Sequence, residues 1–184
     1  MRERDGLVLY LDFDGVLHHQ NCLWHPKKGA YLSAPAGYSL FQHADLLASL
    51  LKPFPEVQIV LSTSWVLQYG LTGAAKRLPT ELQQRVIGGT FHSKHMHRQE
   101  FQFEKSRGQQ VFEDVLRRRP RAWIALDDTN EGWPPESVGH FIQTDENEGI
   151  SAPEVLFEIK EKLWAMTTPS LEIFKGAKLM DPLV

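Results

Sequence analysis

Cysteine is almost missing from this chain. Cys22 is the single one in 184 residues, which excludes an intramolecular disulfide and fits a reducing compartment. It sits in a polar stretch with no basic neighbour to activate it, so it is not read as a nucleophile. Long apolar runs are also lacking. No segment approaches the ~18 uninterrupted apolar residues of a membrane span, and the opening MRERDG has no apolar core of a secretory signal. A cytoplasmic location with no membrane partner is therefore expected. Neither sign of charge dominates: a net charge of -3 makes no global electrostatic case for nucleic-acid binding and leaves only a local patch open. Internal repeats and low-complexity tracts are absent. What remains is 42% hydrophobic and 23% charged residues, the balance of an ordinary globular domain with a sizeable core.

The most informative stretch is Leu7 to Leu17, LVLYLDFDGVL. Its short apolar run, bounded by Arg4 and Asp5 on one side and Asp12 on the other, has the pattern of a strand buried on both faces. The run stops at two carboxylates. With only Phe13 between them, Asp12 and Asp14 point to one side of an extended chain, and Gly15 permits the turn that follows. Two acids so placed repel unless a cation or a shared proton compensates. Mg2+, which prefers one or two carboxylates together with substrate phosphate oxygens, is the usual partner. A strand ending in a plain Asp-Gly turn has the same local pattern, so the rest of the chain must decide.

Residues 18–42 contain Trp24, Tyr31, Tyr38 and Phe41 but no sustained period. They read as a flap or small lid inserted beside the first strand, or as a surface excursion with an apolar underside. His18 and His19 could approach a metal, but adjacent histidines in a loop are ordinarily solvated. Leu40, Ala44, Leu47 and Leu51 recur at helical spacing up to Lys52-Pro53. Val57 to Leu61 is a second strand running into Ser62, Thr63 and Ser64, hydroxyls that can donate to a phosphate or simply cap the next helix. That helix is expected over Trp65 to Leu78, with Gly70 and Gly73 as weak points. A further helical turn, Thr80 to Arg85, precedes a third strand at Val86 and Ile87.

His92, Lys94, His95, His97, Arg98, Lys105 and Arg107 then form a basic stretch. It has no second ligand cluster or cysteine pair to favour zinc. Val111, Phe112, Val115 and Leu116 mark the inner stripe of the helix that follows, and Arg117 to Arg119 suit its C-terminal end. Lys105 and Arg107 thus stand near its N-terminus, where a phosphate would gain from the charge and the dipole together. WIAL, Trp123 to Leu126, is a fourth buried strand ending in Asp127-Asp128. Phe141 and Ile142 suggest a fifth, leading into acidic Asp145 to Glu148. Ser151 and Glu154 are spaced as a capping box for a last helix, and residues 167–184 read as a C-terminal tail.

Strands alternating with helices imply a parallel sheet covered on both faces, with ligands at the carboxyl ends of its strands. Those ends carry Asp12 and Asp14, the Ser62–Ser64 hydroxyls and Asp127-Asp128. LDFDGVL, VLSTSW, Lys105 with Arg107, and IALDD together resemble the haloacid dehalogenase-like (HAD) phosphohydrolase superfamily. LDFDGVLHH, RGQQV, the DD pair and NEGIS look most similar to the small HAD domains of bacterial RNA-repair proteins and their stand-alone relatives.

The resemblance implies an α/β, Rossmann-like three-layer sandwich with a mainly parallel central sheet and a minimal cap. The catalytic domain would cover residues 1–166, including the 18–42 insertion. Asp12 would be the nucleophile and Asp14 the general acid and base. Thr63, or Ser62 after a one-residue slip, would supply the second-motif hydroxyl, and Lys105 or Arg107 the cation. Gly15, Ser62 and Ser64 would line the phosphate. Mg2+ would be held by Asp12, Asp14 through its carbonyl, and Asp128, with Asp127 orienting the water shell. The function implied is a Mg2+-dependent phosphatase acting on a small phosphometabolite or a nucleic-acid end. A phosphotransferase or mutase, and a non-catalytic binding module of the same fold, are the alternatives.

Overall fold

A computed structural model describes residues 6–91 and 97–168. Five strands, β1 (Leu7–Leu11), β4 (Val57–Leu61), β5 (Val86–Gly89), β6 (Ala122–Asp127) and β7 (Phe141–Gln143), form one sheet in the order β5-β4-β1-β6-β7. Every pairing in it is parallel. The central place of β1 follows from its composition, since LVLYL has an apolar side chain for each face and none of its residues is more than 1% exposed. Leu7, Leu9 and Leu11 enter the larger core with Leu47 and Leu51 of α1 (Ala44–Leu51), residues of α2 (Trp65–Ala75), and Val155, Ile159 and Leu163 of α5 (Pro153–Thr167). Val8 and Tyr10 face the other way, joining Val60, Trp123, Ala125 and Val111 of α4 (Arg107–Arg118). The parallel sheet covered on both faces that the alternating pattern implies, and the three-layer, Rossmann-like architecture that the resemblance implies, are observed.

Several local expectations are corrected. The 18–42 insertion contains an antiparallel hairpin, β2 (Cys22–His25) and β3 (Gly29–Leu32), which no alternation announced. Leu23 and the opposite Tyr31 are exposed on one face; on the other Cys22, Ala30 and Leu32 are partly buried while Trp24 is exposed. α2 ends at Ala75 and is broken at Gly70, whose φ of 68° is outside the helical range. The short turn α3 (Thr80–Gln83) follows. α5 is capped by Ala152 without a side-chain bond, because the Ser151 hydroxyl donates to Glu148 O at 2.7 Å instead. The capping box lies elsewhere, at Ser106 and Gln109 of α4. Leu116, expected on the inner stripe of α4, is exposed, whereas Gln110 and Asp114 are buried. Polar residues can occupy an inner face when their partners are built in: Tyr10 OH donates to Asp114 Oδ2 at 2.9 Å and Arg118 Nε donates to it at 2.8 Å. Residues 169–184 of the expected tail, and His92, Lys94 and His95 of the basic stretch, lie outside the described residues.

The start of α4 is seated by close backbone contact. Gly108 and Gly132 let the helix press against the loop after β6, with Trp133 Nε1–H donating to Thr129 O at 2.9 Å and its ring stacked on Phe141 at 4.2 Å. Gly→Ala in a helix ordinarily helps by ~1 kcal/mol. At Gly108 the added Cβ would stand 2.5 Å from Trp133 Cα, so Gly108→Ala is expected to destabilise the fold by about 1–3 kcal/mol. Urea unfolding checks this: a midpoint equal to or above wild type would contradict the packing described.

Candidate active site

The acids at the strand ends converge. Asp12 follows β1 and its N–H donates to Leu126 O at 3.1 Å, which places it beside Asp127, the last residue of β6. Asp12, Asp127 and Asp128 each bring a ligand atom within 4.8 Å of the others. Gly15, at φ 66°, is the floor under Asp128: a Cβ there would be 2.3 Å from Asp128 Oδ2, so a larger residue would displace the carboxylate. The turn carrying Asp14 and Gly15 is buttressed from the loop after β7, where Thr144 Oγ1 donates to Gly15 O at 2.7 Å and Ile150 N donates to Val16 O at 3.0 Å.

Of the two candidate cations, Arg107 reaches this cluster. Its Nε is 3.3 Å from Asp127 Oδ2 and its Nη2 3.8 Å from Asp12 Oδ2. The Nε contact is an ion pair without hydrogen-bond geometry, so Asp127 Oδ2 stays a buried acceptor with no hydrogen-bond partner. Arg107 Nη1 donates to Gln110 Oε1 at 3.3 Å, and Gln110 Nε2 donates to Phe101 O at 2.6 Å and Lys105 O at 2.9 Å. The buried amide thus ties the cation to the π-helical turn Glu100–Glu104. Lys105 is turned to other work, its ammonium lying 3.0 Å from Glu100 and 2.8 Å from Glu113.

Burial pushes the Asp12 carboxyl up to about 6, against the pull of Arg107 and with added repulsion from Asp14. Burial, then Asp12, drives Asp127 well above the carboxylate range, and burial raises Asp128. Burial disfavours the Arg107 charge, yet Asp12 and Asp127 hold its pKa above the ordinary value. One guanidinium facing three carboxylates leaves surplus negative charge and a buried carboxylate oxygen without a hydrogen bond. Hard oxygen donors in that condition fit a hard divalent cation such as Mg2+. Asp12, Asp127 and Asp128 are the side chains that would hold it.

The carboxylate of Asp14 is outside that trio and belongs to a second group with His18 and Cys22. His18 and His19, expected to be solvated, are 0% and 5% exposed. The hydroxyls also separate. Ser62 continues β4 level with Asp12, donating its N–H to Leu11 O at 2.8 Å, and its Oγ is buried without a partner. Thr63 Oγ1 accepts the Trp65 N–H at 3.4 Å, while Ser64, the N-cap of α2, makes no side-chain capping bond. Ser64 lines a cavity of about 530 Å³ beside Arg107, together with Phe101, Phe103, Lys105 and Thr129. Trp65, Gln110 and Thr144 were not legible as site residues. His18 was open to a metal-side reading, and its one further signal is that it falls four residues beyond Asp14.

In comparison with known families, the model of the HAD domain in Swiss Army Knife RNA repair proteins matches residues 8–155. No curated protein and no solved structure matches the chain significantly. Among the described residues no helix is long and apolar enough to cross a membrane.

Added Mg2+ is expected to raise the thermal midpoint more at pH 7 than at pH 5, because below about 6 a proton on Asp12 competes with the ion. Without metal the pH trend has a definite sign. Asp12 is raised from 3.8 to about 6 on folding, so between those values the folded chain holds a proton that the unfolded chain has released. Stability from this group therefore falls as pH rises through that window. Melting curves in chelator and then in Mg2+ read both effects. Asp128→Asn is expected to remove most of the Mg2+ shift, and no shift in wild type at pH 7 would refute the cation site.

Proposed function

The chain belongs to the family of HAD domains found in Swiss Army Knife RNA repair proteins, and from that membership we propose a Mg2+-dependent phosphatase that forms an aspartyl phosphate on Asp12. The observation carrying this reading is the placement of Arg107 between Asp12 and Asp127 at the ends of adjacent parallel strands. A phosphoryl group entering there would meet a carboxylate nucleophile and a guanidinium complementary to its equatorial oxygens. Bound Mg2+ would neutralise charge developing on the transferred group.

Asp12 Oδ1 already accepts the Phe13 N–H at 2.8 Å, whereas Oδ2 faces Arg107. Oδ2 is therefore the attacking oxygen. As it bonds to phosphorus, the bond from phosphorus to the leaving oxygen breaks and Asp14 gives that oxygen a proton. Water then attacks the aspartyl phosphate, Asp14 takes the water's proton, and phosphate leaves as Asp12 is regenerated. Between the two hydroxyls the geometry favours Ser62, which stands level with Asp12 and has a buried Oγ without a partner. The cation role goes to Arg107 rather than Lys105, whose charge is met by two glutamates.

For the substrate class we favour a phosphorylated nucleic-acid end over a small phosphometabolite. The family's RNA-repair setting supports this; the cavity of about 530 Å³ beside Arg107 lies in the ~300–1,000 Å³ range of ligand clefts and accommodates either class. Phosphate release from 3'- and 5'-phosphorylated oligonucleotides, compared with a panel of phosphometabolites, tests this. Asp12→Asn is expected to abolish release while melting at or above the wild-type midpoint. Arg107→Ala should lower kcat by about 10²-fold or more, and Lys105→Ala should stay within about threefold. Unchanged turnover in Asp12→Asn would reject covalent catalysis.

A further inference from the structure

Asp14 is held by a set of donors that the reading above does not use. Residues 13–17 form a tight turn through Gly15 at φ 66°, with Leu17 N–H donating to Phe13 O at 2.8 Å, and the next residue, His18, returns beside the Asp14 carboxylate. The His18 ring is fully buried. Its Nδ1 accepts the Phe41 N–H at 3.2 Å and its Nε2 lies 3.0 Å from Asp14 Oδ1. A ring nitrogen that accepts a backbone N–H carries no proton of its own, so the neutral ring has its hydrogen on Nε2 and donates to Asp14. Trp65 Nε1–H donates to the same Oδ1 at 2.9 Å. Both nitrogen donors converge on one oxygen, on a carboxyl group that is 28% exposed.

Cys22 completes a nitrogen, oxygen and sulfur group within 4.8 Å, and such a set invites a metal reading. The tautomer opposes it, because the nitrogen facing Asp14 bears hydrogen and offers no lone pair. The Cys22 thiol is pushed up to about 12 by burial and then by Asp14, so it remains protonated as well. The surroundings instead suit rigid orientation. His18 and Trp65 pack edge-on against Phe41 at 4.9 and 5.0 Å, and Phe13 adds further edge contacts. Trp65 also stacks on Tyr69 at 5.4 Å, whose hydroxyl accepts the Ala30 N–H of the hairpin at 2.9 Å.

We propose that His18 and Trp65 are positioning residues for proton transfer: by filling Asp14 Oδ1 with two N–H donors, they fix the carboxyl plane and confine the exchanged proton to Oδ2. This rests on the phosphatase reading. In the first step the proton passes from Asp14 Oδ2 to the leaving oxygen as its bond to phosphorus breaks. In the second, water returns a proton to Oδ2. A carboxyl group free to rotate would spend part of its time with the proton misplaced, and such misplacement slows the chemical step without weakening substrate binding.

The test separates leaving groups that need a proton from those that do not. Benzyl phosphate releases an alkoxide that must be protonated, whereas p-nitrophenyl phosphate releases a stabilised anion. For both probes kcat/KM reports events up to formation of the aspartyl phosphate. Trp65→Phe, which keeps the ring and removes the N–H, and His18→Phe are each expected to lower kcat/KM for benzyl phosphate about tenfold or more. The value for p-nitrophenyl phosphate should stay within about threefold, and His18→Gln, which restores an N–H donor, should recover most of the loss. Melting temperatures confirm which variants are folded, and Trp65→Phe carries the test if the His18 variants are not. Equal losses on both probes, or none on either, would overturn this inference and leave the phosphatase reading intact. Wild-type protein that releases phosphate from neither probe and from no phosphorylated oligonucleotide would overturn that reading, and this inference with it.

Discussion

Electrostatic repulsion among carboxylates brought together at parallel strand ends is the constraint to which the rest of the molecule answers. Asp12, Asp127 and Asp128 cannot all be charged in a buried place without compensation. Among the described residues the fold supplies one fixed cation, Arg107, and leaves room in the charge balance for a divalent ion. An apolar replacement of similar shape would make a more stable sheet end. Keeping the acids there is a departure from stability in favour of chemistry, of the kind found at functional sites.

The supporting structure is arranged so that this crowding is held rather than relieved. Gly15 gives Asp128 its place, Thr144 and Ile150 brace the turn after β1, and Gly108 with Gly132 let α4 come close enough for Arg107 to enter. Gln110 is the least conspicuous of these residues. Its buried side chain touches the Arg107 guanidinium on one side and two carbonyls of the preceding turn on the other. A cation is therefore fixed by an amide that itself has no charge to add.

Two carboxylates separated by one residue acquire different surroundings by the same means. Asp12 ends the central strand, buried, beside Arg107. Asp14 leaves the strand and meets two nitrogen donors from His18 and Trp65. Such separation of environments is what the proposed roles of nucleophile for one acid and proton carrier for its neighbour require. The hairpin of the 18–42 insertion is linked to that second environment through Tyr69, so the insertion has a structural tie to Asp14 as well as a position near it.

What could be read without coordinates was whatever depends on local pattern. The buried run Leu7–Leu11, the alternation of strands with helices and the acids terminating β1 and β6 follow from hydrophobic periodicity and from short-range spacing, and they were enough to specify a parallel sheet with a charged edge. The choice between Lys105 and Arg107 was not available there, because the two stand two residues apart at the start of α4 and only the docking of that helix directs one to the acids and the other to Glu100 and Glu113. The hairpin, the buried His18 and the polar inner face of α4 were hidden for the same reason. A polar side chain looks solvated in a sequence until its partner, remote along the chain, is brought to hydrogen-bond distance, and that juxtaposition is made by packing alone.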